Sequence, residues 1–477
     1  MPKSRPYIFY GQTQALCEEC LEVVPAKIIF QNDNVYYQKR CLQHGVQKTL
    51  VSTDIEYFKL CKEYLKPGDV PEKFQTEINK GCPHDCGLCP DHEQHSCLAL
   101  FEIIDECNMN CPVCFANSAP GMGNPRSMED IEIMLKTLLE SEHEPDLVQV
   151  SGGEPTLHPE IIPILKRLKD SPIRHLMLNT NGIRIANDPE FVEQLNGIKQ
   201  GFEVYLQFDS LQASALKNLR GVDARGTHKR ALAQLEKYNI STNLVCAVRK
   251  EVNDNEIGEI IKFAQEWKCI RGITFQPIQD AGRNIDNRHD NSESKKEDSR
   301  ITLSEIRQQI IDADNSFNAE DMIPLPCHPE NICIGYGIKM GGSIQPVTGL
   351  LPKEELLKGV NNTVTFEKSQ ALKDAFYNLF SLDACGEQST ENLQTMLCCL
   401  PKVEGSEDLA YENVFRIVIM SFMDKYDFDL GSIKRSCTHF VEPDGKIYPF
   451  ETWNMFYRDK AKRVKEEVEN TVVMTRY

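Results

Sequence analysis

Two hydrophobic rhythms alternate along the middle of this chain. Short apolar runs, "CLALFEII" (97–104), "DLVQVSGG" (146–153), "HLMLNTNG" (175–182), "VYLQFDS" (204–210), "NLVCAV" (243–248) and "GITFQPI" (272–278), have the length of buried strands. Between them lie stretches of helical period. In "SMEDIEIMLKTLLE" (127–140), Ser127 and Asp130 form a capping pair, and Ile131, Met134, Leu135, Leu138 and Leu139 share one face. Similar helices fit near 159–169, 228–238 and 254–267. Strand and helix in alternation predict an α/β fold, a partial (βα)6 barrel over 97–280 whose parallel strands are covered by helices. Chemistry in such barrels sits at the carboxyl ends of the strands. A cysteine loop, "SGGEPT", "NTNG" and "DS" follow the first four strands and are expected to share one mouth.

The flanks read differently. Residues 1–96 form a metal-binding extension, 281–300 a polar linker, and 301–477 an α+β region in which "ENVFRIVIMSFMDKYDF" (412–428) contains a buried strand. The stretch from "GYGIKMGGSI" to "NLQTML" is read as helical and as a contributor to a substrate groove. With 41% hydrophobic residues, 477 positions suffice for two or three domains. A formal charge of −18 argues against nucleic acid and anionic membranes as partners. No apolar run approaches the roughly 18 residues of a membrane span, and the N-terminal residues lack a signal-peptide pattern, so a cytoplasmic protein is expected.

Nineteen cysteines then call for metal ligation, because cytosolic thiols are kept reduced. Cys107, Cys111 and Cys114 lie on one loop after the first strand. Three thiolates can ligate three irons of a [4Fe-4S] cluster and leave the fourth open; the alternative is a closed cluster or zinc site completed from elsewhere. Cys82, Cys86, Cys89 and Cys97 supply four thiols within sixteen positions, enough for a closed auxiliary [4Fe-4S] cluster or a structural zinc, with His84, His92 and His95 as solvated loop residues. Upstream, Cys17 and Cys20, then Cys41 and His44, form two knuckles around the hairpin-like "AKIIFQNDNVYY". This zinc-ribbon or rubredoxin-like set fits one zinc or iron. Cys327, Cys333 and Cys437 suggest a further auxiliary cluster whose fourth ligand is Glu451, Cys398 or Cys399. Cys61, Cys246, Cys269 and Cys385 read as packing residues.

The loop of Cys107, Cys111 and Cys114 followed by Gly152, Gly153, Glu154 and Pro155 resembles the radical S-adenosylmethionine (radical SAM) superfamily. Val113 stands where that superfamily often has an aromatic residue; Phe115 is expected to cover the adenine instead. The resemblance implies that the three cysteines form the catalytic centre, that the open iron chelates the methionine end of S-adenosylmethionine, and that the glycine motif binds its amino group by close backbone approach. Reductive cleavage would then release a 5′-deoxyadenosyl radical for C–H functionalisation. Asn179, Asn181 and Asp209 are candidate ribose or substrate contacts and equally candidate turn formers; Arg249 and Gln276 rank lower. From 17 to 283 the chain is similar to the branch containing archaeal tetraether lipid synthase and the methanopterin C-methylase, through "HDCGLCPDHEQHSC", "ECNMNCPVCFANS", "VSGGEPTLHPEI", "LRGVDARGTHKRAL" and "ITFQPIQDAGR". That likeness implies carbon–carbon coupling on lipid chains or C-methylation of a hydrophobic or pterin-like substrate, with a flavodoxin- or ferredoxin-type electron donor. "CTHFVEPDGKIYPF" also fits, but Glu451 stands where a cysteine is expected. Competing readings are a peptide-modifying radical SAM maturase and a non-catalytic multi-cluster electron carrier.

Overall fold

The computed structural model describes residues 5–284, 300–313, 317–340, 343–350, 353, 354, 357 and 413–458. The 285–299 part of the expected linker lies outside them, as do Cys385, Cys398 and Cys399.

The chain opens with a four-stranded antiparallel sheet of β1 (Ile8–Leu16), β2 (Val23–Gln31), β3 (Asn34–Cys41) and β4 (Gly45–Ser52). Asn32 and Asp33 both take positive φ, 53° and 59°, the backbone a two-residue hairpin needs to match strand twist. That turn sets the β2–β3 register and thereby brings the two metal knuckles to one end. Helix α1 (Ile55–Glu63), capped by Asp54, leads towards the second body.

Six parallel strands follow in sequence order: β5 (Leu98–Glu102), β6 (Leu147–Ser151), β7 (His175–Thr180), β8 (Phe202–Gln207), β9 (Thr242–Val248) and β10 (Ile270–Pro277). Helices α2 (Met128–Ser141), α3 (Ile161–Lys169), α4 (Ile183–Asn187), α5 (Pro189–Asn196), α6 (Ala213–Arg220), α7 (Arg225–Tyr238) and α8 (Ile257–Gln265) connect them. In α2 the Ser127–Asp130 capping box forms as expected, worth about 1 kcal/mol. Its apolar stripe of Ile131, Met134, Leu135 and Leu138 is buried against the sheet. The short helices α4, α5 and α6 have no counterpart in the sequence reading, being too brief to show a full apolar period.

The C-terminal region is part of the same sheet. After α9 (Leu303–Asp312) come β11 (Ile323–Pro324), β12 (Ile332–Met340), β13 (Ser343–Pro346), β14 (Val414–Met420), β15 (Thr438–Val441) and β16 (Ile447–Pro449). Strand β14 pairs in parallel with β10 at one edge, and β15 pairs in parallel with β5 at the other, within a 12-stranded sheet. "ICIGYGIKM" forms strand β12, correcting the helical reading of that stretch; its alternating Ile332, Ile334 and Tyr336 have the period of a strand. "VFRIVIM" is the expected buried strand, β14.

The inner face of the curved sheet lines a small, partly open lumen. Leu98, Leu147, Met177, Ile332, Ile334 and Val418 supply apolar lining, and Gln149, Tyr205, Asn243 and Thr274 supply polar groups. Across it Arg416 donates to Glu203 at 2.6 Å, and Glu203 also accepts from Ser241 at 2.8 Å. Arg416→Met is expected to lower unfolding free energy by about 3–5 kcal/mol, because a carboxylate is left buried without its cation. Replacing both, Arg416→Met with Glu203→Leu, is expected to cost less; chemical denaturation of the two variants measures the difference.

Candidate active site

The chain leaving β5 turns into the cysteine loop, and the chain leaving β6 docks directly on it. Gly153 N donates to Ile104 O, and Glu154 N to Glu106 O, each at 2.8 Å. A Cβ on Gly152 would stand 2.3 Å from Ile104 O, and one on Gly153 2.2 Å from Glu106 O. Both glycines are therefore demanded by the protein's own backbone, a cause other than the cofactor approach expected from sequence.

Glu154 is fully buried between the second and third strand ends. Its carboxylate accepts from Thr156 Oγ1 (2.6 Å), Thr180 Oγ1 (2.7 Å) and Asn181 N (2.8 Å). Burial pushes its pKa up while these donors pull it down. The Asn181 side chain donates to Asn108 Oδ1 at 2.8 Å and accepts from Ile183 N at 3.0 Å. Glu154 and Asn181 thus tie three strand ends to the cysteine loop. Asn179 behaves differently: its Nδ2 is 3.4 Å from Ser151 Oγ, while its buried Oδ1 has no partner among the described residues.

Asp209, read as a ribose or substrate contact or a turn former, is engaged by the protein itself. Both carboxylate oxygens bind Arg220, at 2.6 and 2.8 Å, and one also accepts from Ala247 N at 3.0 Å. The pair turns a half-buried guanidinium towards Cys111 and Cys114. Arg283 closes the other side, donating to Cys111 O and Ser118 O at 2.6 Å each, while its backbone exchanges two 2.8 Å bonds with Cys114. Sequence reasoning missed Arg220 and Arg283. Both lie in stretches quoted for their likeness, "LRGVDARG" and "QDAGR", and no local pattern tells a clamping arginine from a solvated one. Phe115 is half-buried and packs on Phe450, with ring centroids 5.4 Å apart. Arg249 bonds Asn253 and Asn218, and Gln276 reaches Tyr205 Oη at 3.3 Å inside the lumen.

Residues 101–264 match the Radical SAM superfamily, and residues 9–53 match the HMPTM N-terminal zinc ribbon domain. Residues 101–264 are thus a radical SAM domain. It is 28% identical to the 7,8-dihydro-6-hydroxymethylpterin dimethyltransferase of Methanocaldococcus jannaschii over 94% of both chains. It is 30% identical to the probable GTP 3′,8-cyclase of Thermococcus kodakarensis over 36% of this chain and 53% of that one, about half its length. Among solved structures, Streptococcus suis SuiB bound to S-adenosylmethionine is similar over 43% of this chain and 46% of its own, at 19% identity and a TM-score of 0.34.

The radical SAM loop fits the cluster that this enzyme superfamily implies. Cys107 and Cys111 are buried and Cys114 is half-buried; burial raises the Cys107 thiol to about 12 and pushes Cys111 up against the pull of Arg220. Thiols held so protonated must lose their protons to iron on binding. Asn179 Oδ1 beside Ser151 is an acceptor without a donor among the described residues, which fits a cofactor carrying hydroxyl or amino groups.

In the ribbon, Cys17, Cys20, Cys41 and His44 bring their donor atoms within 4.8 Å of one another, and Glu19 stands 3.6 Å behind the His44 ring. This Cys3His set suits one tetrahedral ion. Cys82, Cys86 and Cys89 share a hollow with Asp85, Asp91 and His92. Cys97 does not complete that group, correcting the four-in-sixteen reading. It gathers with Cys327 and Cys437, to which the fold delivers it at the start of β5. Cys333, expected with those two, packs instead in the core beside Tyr57 and Arg307, since its place in β12 points it away from them. Cys61, Cys246 and Cys269 are core thiols. His92 is buried, its Nε2 2.8 Å from Ser436 O, and His95 pairs with Glu142, so neither is a solvated loop residue. Glu451 is buried as well and accepts from Ser436 Oγ at 2.9 Å; burial raises its pKa to about 7.

Gly153→Ala is expected to displace the Glu106 turn and empty the radical SAM loop. Iron content and cluster EPR amplitude should fall severalfold while the ribbon keeps its ion.

Proposed function

We propose that this radical SAM enzyme C-methylates a pterin-type substrate. The observation that carries the reading is the likeness to a pterin dimethyltransferase along 94% of both chains, from the ribbon through the C-terminal strands. Relatives that share only the barrel cover about a third of this chain.

When bound, a four-iron cluster bearing S-adenosylmethionine supplies one-electron cleavage of the sulfonium and a radical able to take hydrogen from an unactivated carbon. The protein's part is placement and exclusion of water. Cys107, Cys111 and Cys114 would hold the cluster, with Arg220 offering positive charge beside two of the thiolates. Gly152, Gly153, Glu154 and Pro155 fix the second strand end against the loop, and Asn179 Oδ1 would accept from the cofactor or the substrate. Phe115 would lie over the adenine.

The lumen beneath the mouth is lined mainly by apolar side chains with a few polar groups among them. Alternate residues of each strand face it, so Gln149 with Ser151 and Thr274 with Gln276 carry hydrogen-bonding groups up towards the loop. Asn243 already donates to Thr274 and Gln276 to Tyr205, so the choice of methylation over lipid coupling rests on the likeness to the dimethyltransferase. Cys82, Cys86 and Cys89 would carry an auxiliary cluster serving as relay from a flavodoxin- or ferredoxin-type donor.

The test is anaerobically reconstituted protein incubated with S-adenosylmethionine, a strong reductant and a 6-hydroxymethyl dihydropterin, followed by mass spectrometry. Formation of 5′-deoxyadenosine together with a methylated pterin is expected. Cys111→Ala should abolish both, and Cys17→Ala should leave the radical cluster's EPR signal in place. Cofactor cleavage without any pterin product would overturn the substrate; absence of cleavage with the cluster intact would overturn the chemistry.

A further inference from the structure

Cys97, Cys327 and Cys437 come from three separate segments. Cys97 immediately precedes β5 and Cys437 immediately precedes β15. These strands pair in parallel with Leu98 opposite Thr438, and Leu98 N donates to Cys437 O at 3.0 Å, so register alone sets the two cysteines side by side. Cys327 enters from the turn between β11 and β12. All three are at most 1% exposed.

The spacing of their sulfurs discriminates between kinds of metal centre. Among the described residues, only this trio and the ribbon set have three or more donor atoms all within 4.8 Å of one another. The thiols of Cys82, Cys86 and Cys89, and those of Cys107, Cys111 and Cys114, are not gathered so tightly, as suits loops that embrace a polynuclear cluster. Cys327 and Cys437 stand 3.6 Å apart. Two thiolates about 2.3 Å from one tetrahedral ion lie about 3.8 Å from each other, so the trio has the edge length of a mononuclear site.

A fourth donor stands beside it with its support already built. His95 Nε2 is 3.5 Å from Cys97 Sγ, and its Nδ1 is 2.9 Å from Glu142 Oε2. Glu142 Oε1 accepts from Ser96 N at 2.8 Å, so one carboxylate orients both residues that precede Cys97. A histidine aimed at a thiolate group with its far nitrogen on a carboxylate is the usual arrangement of a metal-binding imidazole. Its Nε2 lies beyond 4.8 Å from at least one of the other two sulfurs, so the ring must swing towards them to complete the tetrahedron.

We propose that Cys97, Cys327, Cys437 and His95 bind a single thiolate-preferring divalent ion, zinc by its ligand set, in a closed structural site separate from the ribbon and from both C-x3-C-x2-C loops. The ion ties the extension, the β11–β12 turn and β15 to the first barrel strand. The inference is independent of the methylase reading.

Elemental analysis and cobalt substitution of the full reconstituted chain test it. A thiolate-bound mononuclear ion beyond the ribbon's is expected, with tetrahedral cobalt bands that persist in Cys17→Ser/Cys20→Ser. Glu142→Gln, which spares every ligand, should weaken retention of that ion by about 10–100-fold against a chelator while cluster EPR signals hold. Cys327→Ser should remove it. If the ribbon variant holds no further ion, or if Mössbauer spectra of the wild type assign a further four-iron cluster that Glu142→Gln disturbs, the proposal fails.

Discussion

The contact on which the rest depends is the backbone approach between the two strand exits at 104–106 and 152–154. Two amide-to-carbonyl bonds join them where no side chain has room. Because β5 and β6 are adjacent and parallel, their exits emerge together. The glycines let one exit lie on the other, and the cysteine loop then takes its course from that platform. Glu154 extends the constraint to the third strand end, and the pair of Asp209 and Arg220 extends it to the fourth. The mouth is thus organised before any cofactor enters, which is what radical chemistry asks of a scaffold that must hold a reactive species away from water.

Much of this was legible in the residues. The six strands follow from apolar runs bounded by glycine and polar ends, and helix α2 from a cap and a 3.6-residue stripe; both signals are local. The ribbon ligands are local too, two knuckles on one hairpin. What sequence could not deliver was pairing over long separations. Cys97 lies eight residues from Cys89 and 340 from Cys437 in the chain, yet the register of β5 with β15 chooses the distant partner. Asp209 ends a strand as a ribose contact would, and only the position of Arg220 eleven residues on shows that both its oxygens are taken. The glycine motif was recognised, while the carbonyls that demand it belong to another strand.

Charge inside the molecule follows one rule. Arg416 with Glu203 and Arg458 with Glu102 are buried arginines, and Arg220 with Asp209 a half-buried one, all held to carboxylates at 2.6–3.0 Å. Such pairs contribute little net stability over apolar residues but fix geometry, since separating the two members would leave a charge uncompensated away from water. They stand at the cysteine loop, in the lumen and beneath the ring of Phe115, places where displacement of a side chain would reach the chemistry.

The strands that complete the two edges of the parallel sheet, β14 and β15, are both drawn from residues 414–441. During synthesis the six central strands leave the ribosome with each flank unsealed, and neither flank closes until that late stretch has emerged. Contacts of such span are slow to form and leave open hydrogen-bonding edges exposed meanwhile. A nascent chain cut short before residue 414 would carry every thiol of the radical loop and yet lack the walls around it, so the timing of translation itself separates the fragment from the working enzyme.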